Sequence, residues 1–353
     1  MQRYVIIGAG AVGGTIGGRL AQHDVPVVWV ARGEHAKVLA TAGMTLRTPD
    51  GTYQVTAPVW TGPEDADLRD GDVLVLATKV HQAADALAAW ADLPVRSEAT
   101  GEVLGTAGDL LPLVTVTNGL AGEDIAIRYF QRVYGAAVWC PATHVNPGEV
   151  IPMYDTVSGV FWLGAYPGPA EPDDVVRAIG ADWETARLGA PVVDDVMAWK
   201  RRKLVLNMGN AVDALLEPGG PDWKRLLKLA TEEAEAAIAA SGASVISPEQ
   251  DEQERARGPQ MVAVEGAPEQ IGSSTFQSLV RGTGTVEIDY LNGEIVRLGR
   301  LHGVPTPVNA ALASLVRRAA ANGWAPRSLA PREVDAEIER VAAYRQENLV
   351  ARK

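Results

Sequence analysis

Val5-Ile6-Ile7-Gly8-Ala9-Gly10-Ala11-Val12-Gly13-Gly14 reads as a short apolar strand, a glycine turn and the start of a helix. Gly8, Gly10 and Gly13 stand in G-x-G-x-x-G spacing. The first glycine permits a tight turn, the second lets the backbone approach a pyrophosphate, and the third lets the helix lie close on the strand. The helix N-terminus then offers unpaired amides and a positive dipole end to phosphate oxygens. Ile16 and Leu20 continue the helical spacing, and Val25 to Val30 follow as a second, β-branched strand. The stretch therefore predicts a dinucleotide-binding βαβ unit. A secretory signal would not carry so many glycines and would end in a small-residue cleavage site.

Working outward, 353 residues suggest two domains, and 47% hydrophobic with 22% charged residues is the composition of a globular protein with a substantial core. A net charge of -12 without a basic stripe argues against nucleic acid as a partner. No apolar run approaches the ~20 residues of a membrane helix. The one cysteine, Cys140, excludes an internal disulfide and suits a reducing cytoplasm. Cys140 and His144 alone do not make a metal site.

Ligands of open α/β sheets bind at the carboxyl ends of the strands, so the residues there are the first candidates. Strand two ends in Arg32, where a guanidinium suits the 2′-phosphate of NADP. Glu34, two residues on, would serve NAD instead. Met44 to Thr56, with Asp50-Gly51, predicts a β-hairpin. Asp72 to Thr78 is a buried strand that delivers Lys79, His81 and Gln82, and Leu113 to Val116 delivers Asn118. Lys79 is placed to meet the cofactor or an anionic substrate, and the Asn118 amide suits a nicotinamide ribose or carboxamide. Residues 94–108 read as a polar loop. Ala136 to Cys140 and Val157 to Gly164 read as strands, and Val150 to Met153 as one that Pro152 confines to a sheet edge.

Near Asp194-Asp195 the chain turns helical. The division expected is a Rossmann-like, doubly wound parallel sheet over 1–193, an all-helical domain over 194–330 and a charged, exposed helical tail over 331–353. Catalysis is then expected in the cleft between the two domains. Val196 to Leu216 predicts one helix, on which Lys203, Asn207 and Asn210 share a face. An ammonium beside two amides can protonate a carbonyl and orient its substrate, and the neighbouring Lys200, Arg201 and Arg202 fit a solvated face. Residues 222–240 read as a helix and 244–270 as a loop with short helical pieces. Ser273 and Ser274 could bind a carboxylate, or cap a helix. Thr285 to Arg300 predicts a helix with Glu287 in its first turn, where the dipole favours the carboxylate. Thr306-Pro307 has the pattern of a helix start with Thr as N-cap.

Taken together, these pieces resemble the ketopantoate reductase (2-dehydropantoate 2-reductase) family. The resemblance rests on Gly8-x-Gly10-x-x-Gly13, Arg32, Lys79-x-x-Gln82, Asn118-Gly119, Lys203-Leu-x-x-Asn207, Ser273-Ser274-x-x-Gln277 and Glu287-Ile-Asp289-Tyr-Leu-Asn292-Gly293, in the family's order over about residues 1–325. It implies NADPH as cofactor, a small-molecule 2-oxo acid as substrate and a homodimer. It also implies Lys203 as general acid, Glu287 on a substrate hydroxyl, Ser274 on the carboxylate, and Asn118 and Asn207 on cofactor and substrate. The chain departs from the family at Ala211, where an asparagine is usual, with Asn210 one residue early, and at Pro221. Reduction of another 2-oxo acid or ketone is thus the alternative within enzymes. A non-catalytic dinucleotide sensor is the alternative outside them.

Overall fold

The computed structural model describes residues 2–144, 146–268, 272–282 and 284–350, with side chains through residue 343. The chain forms two compact units: residues 1–200 with 247–267, and residues 201–246 with 268–353.

The first unit begins β1 (Arg3–Ile7), α1 (Ala11–Gln22), β2 (Val27–Val30), α2 (Gly33–Ala42), β3 (Met44–Thr48), β4 (Gly51–Val55) and β5 (Val59–Trp60). It continues β6 (Leu68–Arg69), β7 (Asp72–Leu76), α3 (Ala83–Ala91), β8 (Pro94–Arg96), β9 (Val103–Thr106), α4 (Ala107–Leu110), β10 (Pro112–Thr115) and α5 (Ala121–Ala126). Then come β11 (Arg132–Trp139), β12 (Ala142–Thr143), β13 (Glu149–Pro152), β14 (Val160–Tyr166), α6 (Asp174–Thr185) and α7 (Val196–Leu206), which runs on into the second unit.

Seven strands form one sheet in the order β14-β11-β10-β7-β1-β2-β5. Every pairing in it is parallel except β11 with β14. Strand alternation splits the apolar side chains between its faces. Tyr4, Ile6, Trp29, Val73, Val75 and Val114 pack with Ile16 and Leu20 of α1 and Trp183 of α6. Val5, Ile7, Val28, Leu74, Leu76 and Leu113 pack with Leu87 and Trp90 of α3. A sheet with a core on each face is the doubly wound arrangement expected from the sequence.

Several expectations are corrected in this unit. Residues 94–108 are not a plain loop: β8 and β9 pair antiparallel and join β6 in a three-stranded sheet. Pro152 does not put β13 at an edge. Glu149 and Val150 pair with β3, Ile151 and Pro152 pair with β12, and the proline stands at the strand end, where only one side is in use. Residues 247–267 carry α10 (Pro248–Arg257) and pack with the first unit, where Met153 and Asp155 bond Val262 and Gln260.

The second unit contains the end of α7, α8 (Gly209–Leu215), α9 (Pro221–Ala240), α11 (Ser274–Arg281), α12 (Asn292–His302), α13 (Pro307–Asn322) and α14 (Pro331–Val350). Helix α9 packs on α8, α12 and α13 through Leu226, Ala230, Ala234 and Ala237, all buried, and the alanines allow a close approach. The start of α13 is capped from a distance. Thr306 makes no side-chain cap, and the Glu233 carboxylate takes the amides of Val308 and Asn309 at 2.8 and 2.9 Å. The tail helix is not wholly exposed, since Val334 and Glu337 are buried and Glu337 accepts the Ser314 hydroxyl of α13 at 3.1 Å.

Two further corrections bear on chemistry. The helix expected over 196–216 breaks at Asn207-Met208. Met208 and Asn210 donate to Val205 and Asn207 in the i to i+3 pattern, which tightens the turn. The helix expected from Thr285 starts only at Asn292, because Leu291 takes φ -113° and ψ -96°. Glu287 thus precedes a 3₁₀ turn, Ile288–Tyr290, and not a helix first turn.

Candidate active site

In the first unit the site is built by the turn after β1. Gly8 has φ +104°, open to glycine, and a Cβ there would lie 3.1 Å from the Ala77 and Thr78 backbone. At Gly13 a Cβ would come within 2.1 Å of the Gly8 carbonyl oxygen, so only glycine lets α1 sit this close. A Cβ on Gly10 would meet nothing within 4 Å, which leaves open space above the turn. Gly10 is also the N-cap of α1 and has no side chain to occupy the first amides. Amides without a side-chain cap, on a turn that leaves room for a ligand's close approach, fit the phosphates of a dinucleotide.

The other strand ends supply the rest. Arg32 ends the β2 side, is exposed, and has no side-chain hydrogen bond or ion pair among the described residues. Glu34, the alternative ribose acceptor, is paired with Lys37 at 3.2 Å. Lys79 and Gln82 flank the short turn after β7, Lys79 half-buried and Gln82 exposed. Asn118 is half-buried before Gly119, which has φ +76°. The hydroxyls of Thr78 and Thr117 and Nδ1 of His81 are buried without a hydrogen-bond partner among the described residues. These three polar atoms lie at or just after the carboxyl ends of β7 and β10, where their unmet hydrogen-bonding capacity fits a polar ligand. Thr78 was not singled out in the sequence.

Two features here escaped sequence reasoning. His35 on α2 reaches the Ala9 carbonyl with Nε2 at 2.8 Å, and its Nδ1 accepts the Gly148 amide at 2.9 Å. One nitrogen accepts and the other donates, so the ring is neutral with its proton on Nε2. Burial pushes its pKa down, against the bond to Ala9, and the His144 ring lies edge-on at 4.3 Å. The second is Lys200. The expected solvated face does not hold for it. Its ammonium is buried, donates to the Thr117 carbonyl at 3.0 Å and pairs with Glu123, which also takes the Thr115 hydroxyl at 2.6 Å. Trp199 stacks on Trp162 at 4.5 Å beside it.

In the second unit, Lys203 lies on the last turn of α7 and is half-buried, with Leu204 and Val205 buried next to it. Asn207 bonds back to the Lys203 carbonyl at 3.0 Å, so these two remain one turn apart. Asn210 follows the break and belongs to α8. Asn210 instead donates to the Ser274 hydroxyl at 3.4 Å. Ser273 is consumed as N-cap of α11: its hydroxyl accepts the Phe276 amide at 3.2 Å and donates to the Asn210 carbonyl at 3.1 Å. Ser274 is the serine that stands beside the amide of Asn210. Glu287 is buried, and its charge opposes the lowering that burial imposes on the Arg281 guanidinium. Ala211 is fully buried in α8, and Pro221 opens α9, so neither place offers an amide.

Among the described residues no helix is long and apolar enough to cross a membrane. Two models of one family match the chain: ketopantoate reductase PanE/ApbA over residues 4–168, and ketopantoate reductase PanE/ApbA C terminal over residues 195–320. The 2-dehydropantoate 2-reductase of Caulobacter vibrioides is 29% identical over 327 residues, covering 91% of this chain and 100% of the relative. That of Halobacterium salinarum is 29% identical over 332 residues, again covering 91% and 100%. The solved PanE/ApbA family ketopantoate reductase from Ralstonia eutropha JMP134 matches with a TM-score of 0.73 and 26% identity, over 91% of this chain and 99% of that one.

Proposed function

The chain belongs to the ketopantoate reductase family, and on that premise we propose that it reduces 2-dehydropantoate to pantoate with NADPH. The observation that carries the reading is the division of labour on α7. Lys200 is locked in a buried ion pair, while Lys203, one turn on, is half-buried on the face that continues to Asn207. The nicotinamide, when bound, supplies a hydride to C2 of the substrate. Gly8, Gly10, Gly13 and the α1 amides hold the pyrophosphate, Arg32 the 2′-phosphate, and Lys79, Gln82 and Asn118 the remainder of the cofactor. Lys203 delivers a proton to the carbonyl oxygen as negative charge develops there. Ser274 and Asn210 hold the carboxylate, Asn207 orients the carbonyl, and Glu287 accepts the substrate hydroxyl. The enzyme then works as a cytoplasmic homodimer.

A second reading, another 2-oxo acid or ketone as substrate, is favoured by the buried Ala211 and by Pro221 at the start of α9. Mass spectrometry of the product after incubation with NADPH and 2-dehydropantoate decides between them. Pantoate is the expected product. Turnover restricted to other carbonyl compounds would move the assignment to the second reading.

A further inference from the structure

Behind Ser274 lies a carboxylate–guanidinium pair that the catalytic scheme does not use. Asp213 sits on α8, and its Oδ2 accepts the Ser273 amide at 2.7 Å. Its Oδ1 accepts Arg327 Nη2 at 2.7 Å, and its backbone carbonyl accepts Arg327 Nε at 3.2 Å. The Arg327 amide donates to the Ala214 carbonyl at 2.9 Å, and the guanidinium lies 4.3 Å from the centre of the Phe276 ring. Both side chains are largely buried, 13% and 14% exposed. Arg327 has φ +57°, a left-handed conformation that a non-glycine residue holds only when its surroundings impose it.

These contacts close a ring. Asp213 fixes Ser273, the Ser273 hydroxyl fixes the Asn210 carbonyl, and the Asn210 amide reaches Ser274. Arg327 holds the far side of that ring through a forked contact and the face of Phe276. The charge matters as much as the geometry. Asp213 is bonded to the N-cap of α11, where an unbalanced carboxylate would repel an anionic ligand held by the next residue.

We propose that Asp213 and Arg327 are positioning residues for the substrate carboxylate: Asp213 sets the Ser273–Ser274 turn against Asn210, and Arg327 cancels the Asp213 charge. This rests on the 2-oxo acid reading given above. The test is steady-state kinetics of R327Q, D213N and the double variant D213N/R327Q, with NADPH affinity measured alongside. R327Q leaves Asp213 charged and unpaired, so KM for the 2-oxo acid is expected to rise ~10- to 100-fold with NADPH affinity unchanged. D213N/R327Q removes the repulsion and keeps an amide oxygen for the Ser273 amide, so its KM falls back to within about 3-fold of wild type. A purely structural pair would leave the double variant as impaired as R327Q, or worse, and that result overturns the proposal. So does an unchanged KM in R327Q. If the wild-type protein turns over no 2-oxo acid, the functional reading fails by itself, and hydrogen exchange of the Ser273 amide then judges the pair. Faster exchange in R327Q, with that of α12 unchanged, supports the positioning role, and unchanged exchange refutes it.

Discussion

Lys200 and Glu123 form a buried ion pair, with side chains 2% and 0% exposed, that ties the start of α7 to the carboxyl end of β10. The ammonium is held by the Thr117 carbonyl, one residue before Asn118. Truncating one partner strands the other charge in the interior. Lys200→Met should therefore lose about 3–5 kcal/mol of stability, and Lys200→Met with Glu123→Leu should recover most of it. Chemical denaturation reads both. Equal loss in the single and double variants would show that packing, not the stranded carboxylate, is at issue.

Lys203, one turn further on, is the proposed proton donor. Lys203→Ala is expected to lower kcat ~100- to 10,000-fold while NADPH binding is unchanged. Fluorescence titration of NADPH beside the kinetics separates the two effects, and unchanged turnover removes the role.

Glu287 is assigned to the substrate hydroxyl. Glu287→Gln should cost about 10-fold more in kcat/KM with 2-dehydropantoate than with a 2-oxo acid lacking the hydroxyl. Equal losses on the two substrates would make Glu287 a structural residue of the turn before α12.

Arg32 is exposed with no ion pair among the described residues. Arg32→Ala should reduce the preference for NADPH over NADH ~10- to 100-fold, chiefly through KM for NADPH. An unaltered ratio would return the choice of cofactor to other residues.

His35 predicts a pH dependence with a defined sign. Its ring must be neutral to accept the Gly148 amide, and burial lowers its pKa from 6.5. The unfolded chain therefore binds the proton more readily than the folded one. The stabilisation is complete above pH 6.5 and is lost as the pH falls through the lowered folded value. Thermal melts of wild type and His35→Gln below pH 6.5 test this, the variant lacking that part of the slope. Parallel curves would exclude His35 as the titrating group.

How much of this was legible in the sequence depended on the range of the interaction. The glycine turn and the central strands of the large sheet were readable because continuous apolar, β-branched runs and G-x-G-x-x-G spacing are local signals. The β8–β9 hairpin was not, because Val103 and Leu104 are exposed and leave no alternating pattern. The break after Leu206 and the late start of α12 were missed because apolar spacing runs through both, while the backbone switches to i to i+3 bonding. Lys200 reads as one more charge in Lys-Arg-Arg-Lys until Glu123, 77 residues away, is placed beside it. Asp213 and Arg327 are 114 residues apart, and no local pattern joins them.

Hydride transfer itself gives the most direct test. The protein is incubated with 2-dehydropantoate and NADPH carrying deuterium at the transferable position, and the 2-hydroxy acid is analysed for label. Pantoate with one deuterium at C2 is the expected product, formed at a rate that collapses in Lys203→Ala. NADPH bound tightly but never oxidised by any 2-oxo acid would contradict this expectation and leave a dinucleotide-binding protein without this chemistry.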